Sequence, residues 1–356
     1  MNFSFKNIKV VEIASVLAGP SVGMFFAELG ATVIKIEHKL LGGDVTRSWK
    51  LPQESKDSKV SAYFSSVNYK KQYLFLDLKT KSDLDHAFDL IADADILIAN
   101  FKKGDDVKFG LDYETLKKTN PRLIYGAISG FGSDSDRVAY DLILQAETGF
   151  MSMNGTPTSG PVKMPVALID VLAGHQLKEG ILLALLNRKS NGNGARVEVS
   201  LYDTAICSLV NQASNWLMAN HIAKPIGSLH PNIAPYGELF LTKDKVRITF
   251  AIGSNKQFLE LMKFLNLNEL VLDVRFSTNV ERVKWRNDLK NYIQEKIKHI
   301  KAADILTYAH IHFIPAAEIK DIKAVFESEE SQALIKQETI EGVDTKRVKS
   351  IAFKLS

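Results

Sequence analysis

The stretch KVVEIASVLAGPSVGMFFAELGATVIKIE, residues 9–37, decides the fold class. Its first segment, KVVEIAS (9–15), is apolar and β-branched, the composition of a buried strand. LAGP then turns the chain, SVGMFFAEL carries helical periodicity, and Gly30 supplies a helix stop. ATVIKIE (31–37) reads as a second strand. A strand–helix–strand unit of this kind closes right-handed, with its two strands parallel.

Working outward, the pattern repeats. YLFLDLK (73–79), a polar helix from Ser82 to about Asp93, DILIANF (95–101) and RLIYGAISGFG (122–132) alternate in the same way. A long helix is expected from Asp170 to about Arg188, then the strand RVEVSL and a helix over 201–220. Such alternation predicts an α/β fold, with a Rossmann-like large domain, a mostly parallel sheet and helices on both faces. KPIGSLHPNIAPYG (224–237) reads as a linker into a smaller α+β domain, with a hairpin bent at TKDK and helices near 255–266, 279–299 and 301–309. The expected boundaries are 1–222 for the large domain, 223–312 for the small one, and 313–356 for a return segment.

The 356 residues carry 45 basic and 41 acidic side chains, a net charge of +4, which gives no basic footprint for nucleic acid. No apolar run reaches the roughly 18 residues of a membrane span. MNFSFKNIKVVEIAS lacks the layout of a signal peptide. Cys207, alone and in the apolar context TAICSLVNQ, is expected in the core. A cytoplasmic protein without nucleic-acid or membrane partners is the expectation.

In a parallel sheet, ligands bind at the carboxyl ends of the strands. Those exits are Ser15–Gly19, Glu37–Asp44, Asn100–Gly104 and Ser129–Gly132. The first loop, SVLAGP, lacks the glycine spacing of a dinucleotide fingerprint, so no nicotinamide cofactor is expected. The eight histidines form no metal-binding spacing, and no metal is expected either. Lysines at NYKKQ (68–72), NFKKG (100–104) and Lys108 stand near strand exits, where they are either a solvated face or a cradle for phosphates. Asp170 follows the apolar run MPVALI. It reads first as a helix N-cap, and a helix N-terminus also favours a reactive carboxylate in its ionised form.

Taken together, SVLAGPSVGMFFAELGATVIKIEH, GGDVTRSW, FSSVNYKKQYLFLDLKT, ADILIANFKKG, NPRLIYGAISGFG, MPVALIDVLAGHQ and HPNIAPYG resemble the class III CoA-transferase family. The resemblance covers most of residues 8–330. It implies coenzyme A or an acyl-CoA as substrate, a small carboxylic acid as second substrate, and an interlocked homodimer. It implies Asp170 as the nucleophile, passing through an aspartyl anhydride and an aspartyl-CoA thioester. It implies cofactor contacts at Val16, Leu17, Ala18, His38, Lys70, Lys71, Asn100, Phe101, Lys102 and Lys108, and at Arg137 and Tyr140 in SGFGSDSDRVAYD. The family usually has arginine where His38, Lys71 and Lys108 stand. Its racemases use a histidine where this chain has Tyr140, and a neutral phenol with a pKa of about 10 is a poor base for an α-proton. The transferase reading is therefore preferred over a racemase or a silent acyl-CoA-binding protein.

Overall fold

The computed structural model describes residues 5–354. The chain forms two compact units, one running to Pro225 and resuming at Ala333, the other spanning Ile226–Gln332. In the first unit the chain order is β1 (Lys9–Ile13), α1 (Ala18–Glu28), β2 (Thr32–His38), β3 (Lys71–Leu76), α2 (Lys81–Ala92), β4 (Ile96–Ala99), β5 (Ile124–Ser129), α3 (Asp141–Glu147), α4 (Leu168–Asn191) and β6 (Ala195–Ser200). The strands lie in the order β3-β2-β1-β4-β5-β6, and every neighbouring pair is parallel. This is the expected α/β class, and the strand order reverses direction between β1 and β4.

Alternation along the strands divides the core. Val10 and Ile96 face α1 and α4, where they meet Phe26, Leu177 and Ile181. Val11 and Leu97, one residue later, face α2 and meet Ala87 and Ile91. Burying each such aliphatic side chain contributes about 1.5–3 kcal/mol. Helix α1 ends in a Schellman turn: Gly30 sits at φ 95°, with Ala31 N–H bonded to Phe26 C=O and Gly30 N–H to Ala27 C=O, each at 3.0 Å. That turn reverses the chain directly into β2.

Charge is buried beneath α1. Lys71 and Lys35 both pair with Glu12, at 2.7 and 2.9 Å, and Lys35 also pairs with Asp44 at 3.1 Å. All four side chains are almost fully enclosed. Arg47 adds a pair with Glu37 at 2.7 Å and stacks on the Phe64 ring at 3.9 Å. Gly23 on α1 lies against this cluster, since a Cβ there would stand 1.9 Å from the Glu12 carboxylate.

The second unit contains β7 (Tyr236–Leu241) and β8 (Arg247–Ala251), α5 (Asn255–Phe264), α6 (Arg286–Ile297), α7 (Ala302–Ile311) and β9 (Ala316–Glu318). β7 and β8 are antiparallel, with the TKDK stretch in the turn between them. β9 pairs with β8, so residues 313–332 stay in this unit and the chain re-enters the first unit at Ala333 rather than near 313. There it forms a hairpin of β10 (Ile335–Ile340) and β11 (Val343–Val348), whose Glu338 accepts the Lys70 N–H at 3.0 Å.

Three local expectations are corrected. The helix over 201–220 is two helices, Leu201–Cys207 and Val210–Ala219, because Ser208 turns its hydroxyl onto the Thr204 carbonyl and Val210 takes φ 45°. The helix over 279–299 is likewise interrupted at Trp285. Cys207 is exposed, since Leu201, Thr204 and Ala205 form the buried side of its helix.

Gly23→Ala is expected to lower stability by about 1–3 kcal/mol through overpacking against Glu12. Gly253→Ala, whose nearest neighbour would lie 3.9 Å away, is expected to stay within about 0.5 kcal/mol. Urea unfolding of both variants checks the difference.

Candidate active site

The carboxyl ends of β1–β4 open onto a cavity of about 570 Å³ at the point where the strand order reverses. Ile13, Leu41, Leu78 and Phe109 give it apolar walls; Lys35, Glu37, Asp44 and Arg47 on its lining pair with one another, which leaves His38, Lys79 and Lys102 beside Asp77 and Asp105. An apolar slot with cations on its lining suits a nucleotide carrying several phosphates. Of the expected cofactor residues, His38, Asn100, Phe101 and Lys102 meet here. Lys79 is an addition; its only sequence signal is its place at the exit of β3.

Ala14 and Ser15 of the first loop line this cavity, whereas the expected contacts Val16, Leu17 and Ala18 do not. The Asn100 amide, on the cavity lining, holds Ser15, accepting its N–H and donating to its C=O, each at 3.1 Å. Val16 follows at φ 74°, an unusual conformation for a β-branched residue, costing of order 1–3 kcal/mol. Its N–H donates to both Asp44 carboxylate oxygens, at 3.2 and 3.4 Å. Leu17 caps α1 without a side-chain bond, and Ala18 begins the helix, buried.

Other expected contacts stand elsewhere. Lys71 is turned inward: its ammonium bonds Glu12, the Pro20 carbonyl and Asn68, and it lines no part of the cavity. Burial pulls its pKa down to about 8, with Glu12 opposing and Lys35 adding to the shift. For Lys35 burial acts the same way, but Glu12 and Asp44 outweigh it and hold the ammonium above its ordinary value. Lys70 and Lys108 are exposed and line no part of the cavity. Arg137 stacks on the Phe131 ring at 3.7 Å and pairs with Glu147, and Tyr140 is half exposed just before α3.

Asp170 is not the N-cap. Helix α4 starts at Leu168 with Ala167 as cap, so Asp170 falls in the first turn. Its side chain is buried, and no hydrogen bond or ion pair to its carboxylate is present among the described residues. Burial, then the charge of Asp141, push its pKa up to about 7. Asp141 holds the start of the helix, accepting the Ile169 N–H at 2.7 Å. His175, one turn beyond Asp170, is exposed and does not pair with it.

Two aromatic residues were not foreseen. Tyr63, packed edge-on against Trp49 at 5.1 Å, has its phenol pushed up to about 12 by burial and by Asp170, Asp141 and Asp44. A phenol so held is a hydrogen-bond donor close to three carboxylates. The helix that carries Asp170 packs against the first turn of α1. A Cβ on Gly174, one turn along α4, would stand 2.3 Å from Ser21 Oγ and 3.1 Å from the Ala18 carbonyl. The site therefore holds an unpaired, largely buried carboxylate in the first turn of a helix, while the cavity at the strand ends is lined by neither Asp170 nor Tyr63. Among the described residues, no cluster of ligands for a metal and no helix long and apolar enough to cross a membrane occurs.

Comparison with known proteins is consistent with this geometry. The sequence model of CoA-transferase family III matches residues 5–356. The succinate–glutarate CoA-transferase of Agrobacterium fabrum is 36% identical over 332 residues, which are 92% of this chain and 82% of that protein. The acetyl-CoA:oxalate CoA-transferase of Acetobacter aceti is 32% identical over 322 residues, 89% of this chain and 81% of that protein. A crystal structure of a CaiB/BaiF family protein from Brucella suis superposes with a TM-score of 0.87 at 35% identity, covering 99% of this chain and 93% of the other. With a match of this extent in sequence and in fold, the chain belongs to CoA-transferase family III and is an enzyme that works on CoA thioesters.

Proposed function

We propose that this enzyme moves CoA from a short acyl-CoA to a short dicarboxylic acid, with Asp170 as covalent nucleophile. The observation that carries the reading is the Asp170 carboxylate, buried and unpaired in the first turn of a 24-residue helix. Its dicarboxylate part rests on the relatives, named for succinate, glutarate and oxalate.

In this reading a carboxylate oxygen of Asp170 attacks the thioester carbonyl, the C–S bond breaks, and CoA leaves as thiolate. The thiolate then attacks the Asp170 carbonyl of the mixed anhydride, releasing the donor acid and leaving an aspartyl-CoA thioester. The acceptor carboxylate attacks that thioester, forming a second anhydride and freeing the thiolate again. Attack of the thiolate on the acceptor's acyl carbon gives the new acyl-CoA and returns Asp170. The carboxylate is a usable nucleophile because little water solvates it, and the N–H groups of the helix start favour its anion. The same donors and the Tyr63 hydroxyl stabilise oxygens that become negative in each step. The cofactor's nucleotide occupies the cavity lined by His38, Lys79 and Lys102. Arg137 and Tyr140 border the acyl end. Lys71 takes no part in phosphate binding, while Lys70 and Lys108 contribute only as cations in solvent.

Incubation with succinyl-CoA and glutarate, then hydroxylamine or borohydride trapping, is expected to give a mass adduct on Asp170. Asp170→Asn is expected to give none and to lose essentially all transfer. A wild-type protein that transfers CoA with no adduct at Asp170 rules out this mechanism.

Because the nucleophile must be ionised, the rate of acylation is expected to fall as pH drops below about 7, where Asp170 takes up its proton. The negative charge of Asp141 raises that pKa, so Asp141→Asn is expected to move the acid limb to lower pH. A single-turnover pH series on both proteins checks the sign of the shift.

For assembly we propose a homodimer. The support is an exposed apolar run on the Val210–Ala219 helix, with Trp216, Leu217 and Met218 left 49%, 77% and 88% accessible. Light scattering is expected to give about twice the 39.6 kDa chain mass, and a monomer would refute the proposal.

A further inference from the structure

Four consecutive backbone groups of the first loop are bound by side chains rather than by backbone. The Ala14 carbonyl accepts from Lys35 at 2.5 Å. The Ser15 N–H and C=O are both taken by Asn100, and the Val16 N–H by Asp44. Each clamp comes from a different element: Lys35 from β2, Asn100 from the exit of β4, and Asp44 from the loop after β2. Asp44 is itself held by the Thr46 N–H at 3.0 Å, the Thr46 hydroxyl at 2.8 Å and Lys35 at 3.1 Å. Val16, at the end of the clamp, has a left-handed backbone that its branched side chain disfavours. Beyond it the chain passes directly to Ala18, whose carbonyl lies beside the helix that carries Asp170.

We infer that Asp44 is a positioning residue for CoA transfer: with Lys35 and Asn100 it fixes the Ala14–Val16 bend that leads from the cavity lining into α1, whose first turn packs on the helix that carries Asp170. The inference rests on the reading of Asp170 as nucleophile. Asp44 touches neither reacting atom; it acts through the conformation of Val16. A purely structural role would instead consist of neutralising Lys35. The two roles separate at Val16, because glycine adopts the left-handed conformation without a side-chain penalty.

The test is a cycle of four proteins: wild type, Asp44→Asn, Val16→Gly, and the two substitutions combined. Two readouts are taken, kcat/KM with succinyl-CoA and glutarate, and amide hydrogen exchange across residues 14–18. In the wild-type background Asp44→Asn is expected to lower kcat/KM by about 100-fold, the scale of a misplacement near 1 Å, and to speed exchange. In the Val16→Gly background the same substitution is expected to cost less than about tenfold, since the bend no longer needs to be forced. Equal losses in both backgrounds would assign Asp44 to charge balance alone and overturn the inference, as would an Asp44→Asn protein with wild-type rate and exchange. If Asp44→Asn does not fold, Lys35→Met/Asp44→Asn replaces it. That pair leaves no unpaired ammonium, because Lys71 still neutralises Glu12. A wild type that transfers no CoA refutes the reading of Asp170, and the exchange cycle then decides the inference alone.

Discussion

A chain of buried charges runs from beneath α1 to the mouth of the cavity: Lys71, Glu12, Lys35 and Asp44, with Glu37 and Arg47 alongside. Three carboxylates meet three cations, so the set is neutral. Completeness is what makes it tolerable. Removing one partner from a buried pair costs about 3–5 kcal/mol, because the other charge is left without water or counter-charge. The set ties β1, β2 and β3 to one another and to the loop after β2, and α1 fits over it only because residue 23 has no side chain. A close fit of this kind admits few alternative packings, which is the sense in which it fixes the first loop.

The loop starts on the cavity lining and ends in α1, which packs on the Asp170 helix, and these two places have opposite demands. On one side is a cavity whose lining carries both signs of charge, with His38, Lys79 and Lys102 as its cations outside the buried ion pairs. On the other is Asp170, largely buried and without a cation partner. A cation next to Asp170 would lower its pKa and also blunt it as a nucleophile. In the proposed cycle the cations therefore serve to hold the cofactor, and the helix start serves the reacting carboxylate. Asp141 joins the two tasks at the acyl end, since it fixes the helix start through Ile169 while its charge raises the Asp170 pKa.

Much of this was legible in the chain and some was not. The strand–helix–strand pattern of 9–37 predicted the parallel sheet, because period and turn chemistry are local. Asp170 was legible through its apolar flanks and the family resemblance, but its place in the helix was not. The cap lies three residues earlier because Asp141, 28 positions away in sequence, takes the Ile169 N–H. Lys71 looked like a phosphate ligand beside Lys70. Lys71 begins β3 with its side chain in the interior, where it meets Glu12, 59 positions away, while Lys70, just before the strand at φ 53°, is left exposed. Cys207 was read as core from apolar neighbours, yet the helix it ends turns it to solvent.

The sequence by itself determined the α/β class and the strand exits that open onto the cavity. These follow from short-range periodicity and residue chemistry. Only the tertiary structure decided which lysines face the cavity, Lys79 among them, that Tyr63 is half-buried where Asp170 raises its pKa, and that Asp44 and Asn100 hold the bend at Val16. Each of these depends on where a charge or amide ends up relative to partners tens of residues away. Burial strengthens such pairings, and no local pattern encodes which partners the closed sheet brings together.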